Sequence, residues 1–447
     1  MLGGFAAVIE HSGGFQVVLN RLTQRFNNLK SGVQWSGFSI GLLCFFDGLA
    51  NSMIVGKSLT PLAKRAGVSR EKLSYLVDST SASVACVAFI STWIAYQLAM
   101  IREGFSMAGR SVNSYGIFLS SIPLNFYCWF TLGLLGIVIY RQWNIGPMKD
   151  AESKAARELE PICHPLNPNG SVSNPSSAIR SFLPLVFLVL CLLAGLYISG
   201  SEGAFRYSIT GLAEAFGKAD AALVLVCSAA AASILALLMS PPKSGESSPM
   251  EVYFKGVSQL LPAVLILVGA WTLSSTLKEL NTADYLSGIL SNRMPVALIP
   301  AGVFAAGSLI SFTTGTSWGT MGILMPLALP IILNLSNGLD PETSQMLVSG
   351  TVAAVFSGAV FGDHCSPFSD TTIVSAIACD LNPWEHVRTQ LPYSLITAAT
   401  ALVFGFIPLG AGIPFWICLA AGIIFLLLLP TIHLKIFSKP AKITHFE

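Results

Sequence analysis

The sequence predicts an all-α polytopic membrane protein of about ten or eleven membrane segments, arranged as two inverted repeats with re-entrant hairpins and broken helices. Three observations carry this prediction. The 447 residues are 53% hydrophobic and only 11% charged, whereas soluble domains are about 25% charged. Apolar runs approaching the roughly 20 residues that cross a bilayer recur along the whole chain. Between several of them stand acids, hydroxyls and glycines without any soluble linker, as in helices that are interrupted at membrane depth.

The same numbers exclude other classes. A net charge of +2, without a basic run interleaved with aromatics, argues against a nucleic-acid partner. The nine cysteines are odd in number, scattered and never spaced CxxC, so neither a disulfide framework nor a thiolate metal site is expected.

Met1 to Ile9 is apolar but too short to cross and lacks the basic start of a signal peptide. It reads as a truncated chain, a late start site or a short interfacial segment. Val33 to Gly56 lies between the basic stretches Arg21 to Lys30 and Lys57 to Lys72. If both face the cytoplasm by the positive-inside rule, the segment between them is re-entrant or broken; otherwise one of the two lies outside. Ser79 to Ile101 and Tyr115 to Tyr140 read as spans, closing a first repeat over 1–140. The charged, proline-containing stretch 141–180 reads as a cytoplasmic linker. Residues 181–294 hold the connecting spans Phe182 to Gly200, Ala221 to Ser240 and Val257 to Leu277, then an interfacial helix over Lys278 to Met294.

The second repeat, 295–447, starts with Pro295 to Ser311, breaks at Phe312 to Thr320 and resumes as Met321 to Leu335. Met346 to Phe361 leads into the polar stretch Gly362 to Thr372, followed by Ile373 to Cys379, Leu391 to Leu409 and Ile413 to Phe437. The repeat itself is read from Asn51, Ser52, Pro61 and Asp78-Ser79-Thr80 set against Thr316, Ser317, Pro326 and Asp370-Thr371-Thr372. The second-half loop Ser336 to Ser344 lacks any Lys or Arg, which an inverted copy would explain.

Chemistry concentrates in GDHCSPFSDTT (Gly362 to Thr372) and FTTGTSWGT (Phe312 to Thr320). A carboxylate near the bilayer midplane costs about 2.5–3.5 kcal/mol, so Asp363 and Asp370 call for a cavity, a cation or a proton. Without those, the stretch is a polar surface loop. FTTGTSWGT supplies hydroxyl oxygens and glycines that let backbone unwind, or simply small residues at a tight helix contact. Asp47 and Asp78 complete four intramembrane carboxylates. A desolvated carboxylate holds its proton more tightly, so cation and proton compete for it, which is the chemistry of an exchanger. His364 is a proton carrier or a hydrogen-bond partner, His386 near the expected surface is structural, and Gln390 and Tyr393 line a path or pack. Gly315-Thr316-Ser317-Trp318-Gly319 also matches the hydrolase elbow G-x-S-x-G, with Asp363 and His364 to complete a triad, but the elbow needs a strand feeding a helix. An intramembrane serine hydrolase using Ser317 is the distant alternative.

At these motifs the sequence resembles the NhaC family of sodium/proton antiporters. GTSWGTMGILMPLA (Gly315 to Ala328), GDHCSPFSDTTIVS (Gly362 to Ser375) and HVRTQLPY (His386 to Tyr393) look like its second-half segments; CFFDGLANSMIVG (Cys44 to Gly56), SREKLSYLVDST (Ser69 to Thr80) and STW (Ser91 to Trp93) resemble its first-half ones. The resemblance implies an inner-membrane, multi-pass secondary transporter, not an enzyme, that exchanges Na+ or Li+ for H+ by alternating access. Carried over residue by residue, it implies ion and proton ligands at Asp47, Asn51, Asp78, Thr316, Ser317, Asp363, Ser366, Asp370 and Thr371, with Na+ at a subset of Asp47, Thr316, Ser317, Asp363 and Asp370. Many relatives place a second acid after the first-half Asp, where this chain has Gly48. The second expectation is Na+- or H+-coupled exchange of a small organic solute, a hydroxycarboxylate or an amino acid. No cofactor is expected beyond the transported Na+ and H+; lipid is the surrounding partner and a homodimer the candidate assembly.

Overall fold

The computed structural model describes residues 1–14, 28–158, 175–201, 219–240, 247–258 and 295–437, with isolated positions between them. Among these residues every regular element is a helix. The first half runs α1 (Leu2–His11), α2 (Leu29–Leu43), α3 (Gly48–Ala66), α4 (Arg70–Val87), α5 (Ile94–Met107), α6 (Ser114–Ser121) and α7 (Phe126–Arg141). The linker carries α8 (Pro147–Arg157), and α9 (Pro175–Ser201), α10 (Ala221–Met239) and α11 (Pro249–Ser258) follow. The second half is α12 (Ile299–Thr314), α13 (Ser317–Leu335), α14 (Pro341–Asp363), α15 (Asp370–Ala378), α16 (Pro383–Thr400, continued through a π turn at Ala401–Phe406 to Gly410) and α17 (Phe415–Phe437).

Six described helices are long and apolar enough to cross a membrane, or seven if α6 and α7, bent by 41°, count as one span. The other expected segments are too short or too polar to qualify alone, and most of Val257 to Leu277 and Lys278 to Met294 lies outside the described residues. Ser79 to Ile101 is not one span, because the helix stops at Val87 and restarts at Ile94. Ser91 Oγ donates to the Ala85 carbonyl at 2.8 Å, satisfying one of the acceptors that the helix end exposes. The second-half break is narrower than Phe312 to Thr320: α12 continues to Thr314 and α13 starts at Ser317.

The breaks have local causes. Asp47 caps α3 by accepting from Ala50 N at 2.7 Å, and Thr316 caps α13 by accepting from Gly319 N at 3.1 Å. Gly315 ends α12 at φ +68°, where a Cβ would also stand 2.8 Å from the Phe368 carbonyl carbon. Each half therefore presses its two breaks together. Gly315 lies against Phe368, and in the first half Thr92 N donates to the Phe46 carbonyl at 2.9 Å.

The element order also recurs: helix, break, 19-residue helix, long helix, break, shorter helix, and a final helix that is broken in the first half (α6–α7) and passes through a π turn in the second (α16). The halves interlock reciprocally, α5 packing on α13 and α15 on α3. Asp78, however, lies inside α4 whereas Asp370 opens α15, so the likeness of DST to DTT pairs positions with different local structure. At the centre stands α14, buried without interruption from Leu347 to Asp363 and packed closely on α12. At Gly362 a Cβ would land on Ser311 and Phe312, so only glycine permits that approach.

Candidate ion and proton site

Two buried carboxylates lie within range of each other's charge, with Thr372 between them. Asp363, the last residue of α14, and Asp78, in the middle of α4, are both fully buried. Asp363 Oδ2 accepts from Ser317 Oγ at 3.3 Å and Oδ1 from Ser369 Oγ at 2.5 Å, which joins the first turn of α13 to the loop ahead of α15. Its backbone carbonyl accepts from Thr372 Oγ1 at 2.8 Å and Thr371 Oγ1 at 3.4 Å. Among the described residues no lysine or arginine pairs with either acid.

Asp78 is differently furnished. Its Oδ2 accepts from Gln390 Nε2 at 2.7 Å, with His386 Nε2 at 3.2 Å and Thr372 Oγ1 at 3.5 Å; its Oδ1 accepts from Ser375 Oγ at 3.3 Å. Gln390 also donates to the His364 carbonyl. Gln390, His386 and Ser375 are the close partners of this carboxylate, since the single Thr372 hydroxyl proton goes to the nearer Asp363 carbonyl, while the Asp363 side chain keeps two hydroxyls that can rotate. A hydroxyl donating to Asp363 can turn its lone pairs toward a cation instead.

The other residues expected from the sequence divide sharply. Asn51 is buried, but its Nδ2 braces the Gly41 and Thr80 carbonyls at 2.7 and 3.0 Å, tying α3 to α2 and α4. Ser366 Oγ accepts from Phe368 N at 3.3 Å and shapes the loop. Thr371 Oγ1 lies 3.0 Å from Ser369 Oγ, on the edge of the Asp363 cluster. Thr316 spends its hydroxyl on the α13 cap. Asp370 is exposed at the start of α15, and Asp47 lines a separate cavity. Of the expected Na+ set, a hydrogen bond joins Ser317 to Asp363, Asp370 lies within range of the Asp363 charge, and Asp47 and Thr316 cap α3 and α13.

His386 corrects the surface assignment: it is completely buried against Asp78. Ser369, Thr372 and Ser375 join the site as well. The signal that could have found the α16 residues is a polar stripe at helical spacing, since His386, Gln390, Tyr393 and Thr397 are all buried on a helix whose Arg388 and Leu395 are exposed. Tyr393 stacks on Tyr75 with ring centroids 4.7 Å apart and receives Ile145 N from the linker at 3.0 Å. His364 is held by Ser79 Oγ at 2.9 Å and the Tyr127 hydroxyl at 2.8 Å. Ser317 meets the carboxylate and not the imidazole, on helical flanks, which removes the geometry of a hydrolase triad. Cys365 donates to the Phe361 carbonyl and packs.

A cavity of ≈ 580 Å³ lies beside this site between α1, the start of α3 and α11. Its wall reaches Val374 on α15, next to the Ser375 that donates to Asp78.

Comparison with known proteins places the chain. A family model described as the Na+/H+ antiporter family matches residues 84–410. An uncharacterized protein of Haemophilus influenzae is 30% identical over 429 residues, covering 92% of this chain and 77% of that one. The malate-2H+/Na+-lactate antiporter of Bacillus subtilis is 34% identical over 155 residues, 34% of this chain and 31% of that protein. Among solved structures, the YdaH transporter of Alcanivorax borkumensis superposes with a TM-score of 0.55 at 14% identity, over 93% of this chain and 85% of that one. At that identity the likeness concerns the fold.

Proposed function

The chain belongs to the Na+/H+ antiporter family, and on that premise we propose that it exchanges Na+ or Li+ for H+ across the cytoplasmic membrane, using Asp363 as the group for which cation and proton compete. The observation that carries this reading is a fully buried carboxylate, reached by hydroxyls from two separate breaks and by no basic side chain among the described residues. A bare charge there is costly. Either a proton or an alkali cation relieves the cost, and both cannot occupy the same oxygens at once.

Among the described residues no three His, Cys, Asp or Glu side chains converge on one point. A bound Na+ would therefore take its oxygens from Asp363, Ser317, Ser369 and Thr371, with Asp78 as a fixed neighbouring anion. The breaks that carry these groups touch at Gly315 and Phe368, so occupancy of the site can alter how the two broken helices meet, as alternating access requires. Asp47 and Asp370, which lie within range of each other's charge, would serve on the approach.

The test is Na+-dependent proton movement in proteoliposomes. Asp363→Asn should abolish it at every Na+ concentration, whereas Asp370→Asn should retain turnover with a several-fold higher half-saturating Na+. Full activity of Asp363→Asn would remove this carboxylate from the mechanism. A second reading, coupled exchange of a small organic solute, is favoured by the cavity, which is far larger than an alkali ion needs, and by the similarity to an antiporter named for malate and lactate.

A further inference from the structure

Residues of both charge signs line the cavity between α1, α3 and α11, and of these only Asp47 has been given a part in the ion path. Carboxylates of Glu10, Asp47 and Glu251 and amines of Lys57 and Lys255 line it. Two of the acids are already engaged. Asp47 caps α3 through Ala50 N, and Glu251 accepts from Ser248 N at 2.9 Å as part of the α11 cap. Glu10 is half-buried and within electrostatic reach of Lys57 and Lys255, but among the described residues no ion pair of 4 Å or less joins it to either. One acid and two lysines thus line the same space, within range of each other's charge but without a close ion pair among the described residues.

That arrangement selects by charge pattern. A dicarboxylate would meet the lysines but be repelled by Glu10, and a simple amine would meet Glu10 but be repelled by the lysines. A ligand with an ammonium and a carboxylate satisfies both walls. Apart from the polar His11 and Ser247, the remaining lining, including Ala50, Met53, Val252 and Val374, is glycine or apolar, and the volume falls within the ~300–1,000 Å³ usual for small-molecule sites. The cavity also shares its walls with the ion site. Ala50 and Met53 flank Asn51 and Ser52 on α3, and Ser52 Oγ lies 2.9 Å from Ser375 Oγ, which donates to Asp78.

We propose that this cavity binds a zwitterionic α-amino acid with an apolar side chain, its ammonium on Glu10 and its carboxylate between Lys57 and Lys255. Binding stands on the cavity alone; coupled transport of the ligand rests on the Na+/H+ exchange assigned to Asp363.

The probe is an equimolar mixture of radiolabelled leucine, valine, isoleucine and methionine, with succinate and putrescine as competitors, applied to the purified full chain in nanodiscs. The expected result is saturable retention of label that neither competitor displaces. Glu10→Gln and Lys57→Gln should each weaken it at least tenfold. In proteoliposomes without amino acid, both variants should keep Na+-dependent proton movement within twofold of the unsubstituted chain, which also shows that they fold. Absence of retained label in a preparation that moves protons with Na+ overturns the inference, as does displacement by succinate or putrescine. Retained label with no Na+-dependent proton movement upholds the site and overturns the Na+/H+ reading instead.

Discussion

Asp363 and Asp78 differ in how completely their side-chain oxygens are already bonded. Asp78 is tied to α15 and α16 by Ser375, His386 and Gln390, with Thr372 at a longer 3.5 Å. Gln390→Leu removes a donor to this buried carboxylate and the donor to the His364 carbonyl, and should lower stability by about 1.5–3 kcal/mol, read as a lower midpoint of thermal unfolding in detergent. Gln390→Glu, which sets a second carboxylate against Asp78, should be worse; a rise in stability would contradict the assigned bonds. At this scale the sequence was only partly legible. Asp363 and Ser317 could be singled out because an acid at the end of an apolar run and a hydroxyl in a glycine-flanked break are costly in lipid unless they meet a partner or an ion. His386 was missed despite its place in the polar stripe of α16, since its partner lies 308 positions away and the neighbouring Glu385 and Arg388 suggested a surface.

At the scale of elements, the site exists because four helices stop or start where they do. Gly315 matters most among the stops: its φ of +68° and the 2.8 Å approach of Phe368 leave no room for a side chain. Gly315→Ala should cost about 1–3 kcal/mol in backbone strain and, by pushing the two breaks apart, slow Na+-dependent proton movement more than it lowers the unfolding midpoint. Equal transport by Gly315→Ala and the unsubstituted chain would separate the breaks from the mechanism. These stops were readable in advance where a capping side chain or glycine marks them, as at Asp47, Thr316 and Gly315. The gap between α4 and α5 was not, because Ala88 to Ile90 continues the apolar pattern and the helix ends through a tertiary bond from Thr92 to Phe46. Hydropathy alone merged the two helices into a single span.

Over the whole molecule, the recurring element order and the reciprocal packing of α5 on α13 and α15 on α3 mean that each half completes the other. The linker adds its own tie: Glu152 on α8 accepts from Ser69 N at 2.7 Å and pairs with Lys30 at 2.7 Å, while Lys72 Nζ donates to Asn144 Oδ1 at 2.6 Å. Cutting the chain after residue 158 and co-expressing the two pieces should give fragments that copurify, whereas the first fragment alone should be degraded or aggregate. Recovery of a stable, monodisperse first fragment would show that the halves are independent. The recurrence was legible in the sequence only as an approximate echo, since spacing between small residues does not reveal which helix a motif lies on. The bonds to Asp78 also bear on biogenesis. All four of its partners belong to residues 372–390, so a nascent chain leaving the ribosome carries this acid through the translocon nearly three hundred residues before anything arrives to receive it. Until then the acid must stay hydrated or protonated, and the first helices can settle into the lipid only provisionally, awaiting the last third of synthesis.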